Sequence, residues 1–174
     1  MSLAAANDID AAPQVHAEIA RSLDDLLAIS TLRAIVYMGE QNCPFEEEFD
    51  GNDLSGATHI IARIGREPVG ICRVRWFAGF AKLERVAVSK RHRGAGIVQA
   101  LWRVVAELAS RKGYHTILGH AEAGLLPFWK RLAGFEPREN RPPFRFSGKE
   151  YCEGIAQLPP HPLALSLVTH PLVL

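Results

Sequence analysis

Apolar and polar residues change period several times along the chain, and each change marks an element. Val15, Ala17 and Ile19 alternate with polar neighbours, the period-two pattern of a half-buried strand. Ser22-Leu23-Asp24-Asp25 supplies a hydroxyl and, three residues on, a carboxylate, the pair that caps a helix N-terminus. Leu26, Ile29, Leu32 and Val36 follow at helical spacing, with an end expected near Gly39. Residues 59–64 and 69–76 are β-rich and flank Gly65-Arg66-Glu67-Pro68, so they read as a hairpin. Residues 81–88 form a third consecutive strand pattern. After Gly96, Ile97, Leu101, Val104, Val105 and Leu108 share one helical face, and Lys112-Gly113 gives a basic last turn and a glycine cap. A short strand over 116–121, a short helix over 125–132 and strands at Phe135, at 144–146 and near 151–155 complete the reading. Strands first, then alternating helices and strands, predict an α+β fold: a mixed sheet with helices on both faces.

Length and charge narrow the classes. A chain of 174 residues fits one domain, here 14–174, after a loose tail over 1–13. The net charge of +1 gives no general reason to expect nucleic acid or an anionic membrane as partner. Cys43, Cys72 and Cys152 are scattered and odd in number, with neither metal-ligand spacing nor a disulfide framework, which points to a reducing cytoplasm. Residues 1–8 lack the basic and apolar regions of a signal peptide. No stretch approaches the roughly 20 apolar residues of a membrane helix. The end of the chain, 161–174, alternates apolar with small or polar residues and stops at Leu174. It is expected to be a last strand or a segment that packs on a second copy in a homodimer.

The stretch 83–97 carries the chemistry. It runs from an apolar strand through Lys90-Arg91-His92-Arg93, past Gly94 and Gly96, into an amphipathic helix. A helix N-terminus offers unpartnered N–H groups and partial positive charge, and glycines let backbone approach phosphate oxygens. A P-loop would need four residues between its glycines, then Lys and Ser or Thr. A dinucleotide fingerprint would need a small residue where Gln99 stands.

Arg91-x-x-Gly94-x-Gly96 after Val86-Ala87-Val88 resembles the acetyl-CoA signature of the GNAT acyltransferase superfamily. A second block, Pro127-Phe128-Trp129-Lys130-Arg131-Leu132-Ala133-Gly134-Phe135, is similar to that family's later helix and strand. It departs from the family pattern in having Trp129 where Tyr is frequent and one extra residue before Gly134. The resemblance spans roughly residues 17–146, and Glu40-Gln41-Asn42-Cys43-Pro44 with Asp50 and Asp53 resembles the bacterial ElaA-like branch.

The resemblance implies a GNAT fold, with a central, mostly antiparallel sheet. It implies an N-acetyltransferase that moves acetyl from acetyl-CoA to a primary amine by direct attack in a ternary complex. Val86, Ala87 and Val88 would pair with the cofactor's pantetheine arm. Arg91, His92, Arg93, Gly94, Ala95, Gly96 and Ile97 would surround the pyrophosphate, and Phe128 and Trp129 would complete the site. Backbone near Val86 would donate to the thioester oxygen.

Glu84, just before the pairing residues, is the first candidate for the base that deprotonates the amine, with a pKa raised by burial. Its other reading is an ion pair with Arg85, Arg73 or Arg75. His120, at the end of the next strand, is the second candidate base; its other reading is a polar strand cap. Indole cannot supply a proton, so Trp129 leaves the general acid open among water, Tyr114 and Tyr151.

Between Glu40 and Asp53 lie six carboxylates and no Lys or Arg. Such a loop either attracts a cationic amine, small or peptidic, or is a solvated charged loop. Phe45, Phe49, Trp76 and Phe77 either line the acceptor cleft or pack in the core. Two other readings remain. Leu32-Arg33, Val36-Tyr37, Glu48-Phe49-Asp50 and Arg73 resemble acyl-homoserine lactone synthases. A non-catalytic acyl-CoA sensor would also suit the glycine loop.

Overall fold

A computed structural model describes residues 14–170 and 172. The expected tail over 1–13 and the chain end at Leu174 lie outside the described residues. Strand β1 is Val15–Ile19. Helix α1, Leu23–Arg33, begins at the expected capping box: Ser22 accepts from the Asp25 amide, and the Asp25 side chain accepts from the Ser22 amide. The helical run ends at Glu40, near Gly39 as expected, but it is not an α-helix throughout. It continues as a π-helix over Ala34–Glu40, and a short helix α2, Phe45–Glu48, follows.

Strands β2 (Thr58–Ile64), β3 (Glu67–Phe77) and β4 (Phe80–Val88) form an antiparallel meander. The first turn is tighter than expected, because β3 starts at Glu67 and leaves only Gly65-Arg66 between the strands. Helix α3 (Ile97–Arg111), strand β5 (Thr116–Glu122), helix α4 (Leu126–Ala133) and strands β6 (Glu136–Pro137), β7 (Phe144–Phe146) and β8 (Lys149–Gln157) complete the chain. The sheet order is β1-β2-β3-β4-β5-β8-β6, with β7 also paired to β8. Every pairing is antiparallel except β4 with β5.

Alternation along the strands splits the core between two faces. Ile60, Cys72 and Val74 pack under α3 against Ile97, Leu101 and Val105. Their neighbours Ile61 and Ile71 face α1, against Ile29, Leu32 and Val36. Residues 158–170 are not a last strand. They form turns along α3, with the Leu165 amide donating to the Arg111 carbonyl. Pro and His at 159–162 suit turns better than a ladder. A groove of about 1140 Å³ lies between this segment and α3, remote from the loop at 90–96.

Candidate active site

The parallel pair β4–β5 makes the site. Pairing runs from Ala81↔Ile117 only to Leu83↔Gly119, yet β4 continues to Val88 and β5 to Glu122. Beyond Leu83 and Gly119 the strands no longer pair. A cleft of about 620 Å³ lies there, within the range of small-molecule and cofactor sites. Glu84 and His120 are the first residues past the last pair, and both line the cleft.

A bulge shapes the β4 wall. Ile71 pairs with Ala87 and Arg73 with Glu84, so Cys72 faces two residues, Arg85 and Val86. Arg85 takes φ +51°, a left-handed conformation costly for an arginine. The Val86 carbonyl accepts a 2.8 Å hydrogen bond from the Tyr37 hydroxyl on the π-helix. The bulge is therefore held from the π-helix, a helix type frequent at functional sites.

Val86, Ala87, Val88, Arg93, Phe128 and Trp129 line the cleft, with Val98 of α3. The loop before α3 fits an anion. Gly94 and Gly96 have φ of +86° and +76°, and a Cβ on either would meet nothing within 4 Å. No side chain caps the α3 N-terminus. Ile97 instead buries its side chain beneath Gly70. Arg93 donates to Glu40 at 2.6 Å, Arg91 pairs with Glu67, and His92 lies in a 3-10 turn. Arg91, His92, Gly94, Ala95, Gly96 and Ile97 flank this end without lining the cleft itself.

Glu84 does not meet its expectation of a raised pKa. Burial pushes its carboxyl up, but hydrogen bonds and charge from Lys82 and Arg73 outweigh that and hold it below the usual range. Lys82 lies at 2.8 Å, Arg73 at 2.6 Å and Arg75 at 3.7 Å, and the carboxylate is 8% exposed. The ion pair with Arg85 does not form, because Arg85 turns to Glu48 and Asp50. His120 is different. Burial and the nearby Lys82 charge move its pKa down, against the pull of Glu153, whose Oε2 lies 3.2 Å from Nε2. Glu153 is itself held by Arg138 at 2.5 Å.

Three of the six carboxylates in the loop at 40–53 are committed to the buried Arg33 and Arg73, while Glu46 stays exposed. Glu48 pairs with Arg33 at 2.5 Å and Arg85 at 3.1 Å, Asp50 with Arg73 at 2.6 Å, and Asp53 with Arg33 and Arg73 at 2.6 and 2.9 Å. Arg33, Arg73 and Glu48 are each 1% exposed. Of the residues that resemble acyl-homoserine lactone synthases, Arg33, Glu48, Asp50 and Arg73 are thus part of one largely buried ion network here.

Phe45, Phe49, Trp76 and Phe77 do not line the cleft. Phe45 packs on Phe49, Phe77 on Phe80, and Trp76 on Tyr114, which takes that phenol away from the site. The aromatic wall comes from β7 and β8. Phe144, Phe146 and Tyr151 line a side pocket of about 100 Å³ with Lys82, Glu84, Arg85 and His120. Sequence reasoning missed Tyr37 and left Tyr151 unplaced. The available signal was the two-residue turn Ser147-Gly148, which folds β7 back on β8 and sets Phe144 opposite Tyr151.

A model of the acetyltransferase (GNAT) family matches residues 26–135. The uncharacterized N-acetyltransferase YjcF of Bacillus subtilis is 34% identical over 117 residues, covering 67% of this chain and 83% of its own. Among solved structures, an acyl-CoA N-acyltransferase from Pseudomonas aeruginosa superposes with a TM-score of 0.72 at 23% identity, over 82% of this chain and 98% of that one. Escherichia coli ElaA gives a TM-score of 0.71 at 23% identity, over 82% and 99%.

Proposed function

The chain belongs to the GNAT family of acyl-CoA-dependent acetyltransferases, and from that premise we propose that it moves acetyl from acetyl-CoA to a primary amine by direct attack in a ternary complex. The observation that carries this reading is the strand splay past Leu83 and Gly119, with a titratable residue at the first position of each arm. Backbone of Val86 to Val88 and the side chains of Phe128 and Trp129 would flank the pantetheine arm. The amides at the start of α3, with Arg93, would hold the pyrophosphate. When bound, acetyl-CoA supplies the thioester carbonyl carbon that the amine attacks.

His120 acts as the base. A lowered pKa keeps the imidazole neutral near pH 7, and Glu153 orients the ring and stabilises the imidazolium that forms. The amine's proton passes to His120 as the new C–N bond forms and the C–S bond breaks. Glu84 remains ionised and places negative charge close to that imidazolium. Burial raises the Tyr37 and Tyr151 hydroxyl pKa values, so both phenols stay protonated. Tyr37 is committed to the Val86 carbonyl, which leaves Tyr151 as the phenol able to protonate the departing thiolate.

Thermal unfolding with acetyl-CoA and longer acyl-CoAs tests the site directly. Ligand at about 100 times its dissociation constant should raise the melting point by roughly 5–10 °C. No shift with any acyl-CoA would sink the reading.

A further inference from the structure

Two cations face the side pocket beside His120 with bonding capacity to spare. Lys82 gives one of its three N–H donors to Glu84 at 2.8 Å. Arg85 contacts Glu48 through Nε, and the Glu47 carbonyl and Asp50 through Nη2. Its Nη1 has no acceptor among the described residues. Both line the pocket closed by Phe144, Phe146 and Tyr151. The carboxylates there are already committed: Glu48 bridges Arg33 and Arg85, and Glu84 bridges Arg73 and Lys82. A polyamine or other cationic acceptor would find both carboxylates already paired, whereas the two cations keep unused donors.

We infer that the acceptor is a small amine bearing its own carboxylate and an apolar body, a free amino acid with an apolar side chain. Its carboxylate binds between Lys82 and Arg85, and its side chain packs against Phe144 and Phe146. Lys82 lies two residues before Glu84 on the same face of β4, opposite Leu118, where its charge reaches His120. A carboxylate held there keeps the neighbouring amine beside the base. The inference rests on the acyl-transfer reading and names the acceptor class for it.

Thiol release from acetyl-CoA is measured with leucine and phenylalanine. Each is compared with its decarboxylated amine and its carboxamide, which bracket the amino acid in amine basicity. Spermidine is run alongside. The amino acid should exceed both comparators and spermidine by about tenfold or more in kcat/KM, because the site's cations go unpaired without the carboxylate. Lys82→Met should narrow that gap by raising KM for the amino acid, with KM for acetyl-CoA as the internal reference. A comparator or spermidine that matches the amino acid overturns the inference and leaves the acyl-transfer reading intact. Acetyl-CoA binding with no amine-dependent thiol release from any compound overturns both.

Discussion

His120 and Glu84 stand at matched positions on two strands, yet their surroundings push them toward different chemistry. Glu84 is buried among three cations, so the effect expected of burial is reversed by what is buried with it. His120 keeps one anionic partner and a lowered pKa. Replacing His120 by Gln should lower kcat by about 10²–10⁴-fold with little change in the melting point. The acidic limb of the kcat/KM profile should lie below the ordinary imidazole value of about 6.5. Glu153 raises the His120 pKa, so Glu153→Gln should move that limb to still lower pH, the more so with Arg138 and Arg141 left unpaired. A limb that stays put in Glu153→Gln would assign the titration to another group. None of this balance was visible in the sequence, because Glu153 is 33 residues from His120 and meets it only through the β5–β8 register.

At the scale of elements, the contact that matters most for the cofactor lies between α3 and β3. A Cβ on Gly70 would come 2.3 Å from Ile97 Cγ2, a methyl on the first residue of α3. That branched side chain cannot swing clear without moving the helix start, and with it the amides proposed for the pyrophosphate. Gly70→Ala should therefore cost about 1–3 kcal/mol of stability by overpacking and raise KM for acetyl-CoA together with it. Ile97→Ala in the same chain removes the methyl. A double-mutant cycle should show the two changes compensating rather than adding; additive losses would mean that Gly70 does not set the helix position.

The elements themselves were readable from periodicity: the capping box of α1, the β2–β4 meander and the apolar face of α3 lie where the pattern put them. Less legible was whatever depends on tertiary register. The bulge at Arg85 and Val86 shifts the α3-facing alternation of β4 from Ala81 and Leu83 to Val86 and Val88 and puts Ala87 on the opposite face, a one-residue slip inside an otherwise continuous strand pattern. The π-helix holds β-branched residues and a glycine, but nothing in its pattern separates it from the α-helix it continues. The segment after Gln157 alternates like a strand but is held in turns against α3.

For the molecule as a whole, stability and site depend on one ion network. Arg73 alone bonds Asp50, Asp53 and Glu84, tying the loop after α2 to β3 and β4 beneath the acceptor pocket. Burial opposes ionisation of all three, but the arginines, joined by Lys82 at Glu84 and the Asn52 amide at Asp50, win and hold each carboxyl below its usual range. Burial moves Glu48 the other way against Arg33, which offsets part of the effect. A depressed folded-state pKa contributes stability that is fully present above the unfolded value, near 4, and is lost as pH falls through the folded value. Urea unfolding should thus give a stability that holds from neutrality to about pH 5 and falls steeply below pH 4. Asp50→Asn keeps the shape and removes one titrating partner. At pH 7 it should be about 1–3 kcal/mol less stable than the parent, the usual loss for a hydrogen bond to a charged group. The gap should close as acid protonates Asp50 in the parent. A difference that stays constant down to pH 2 would show that the network acts through packing alone, and that neither the loop nor the pocket above it depends on these charges.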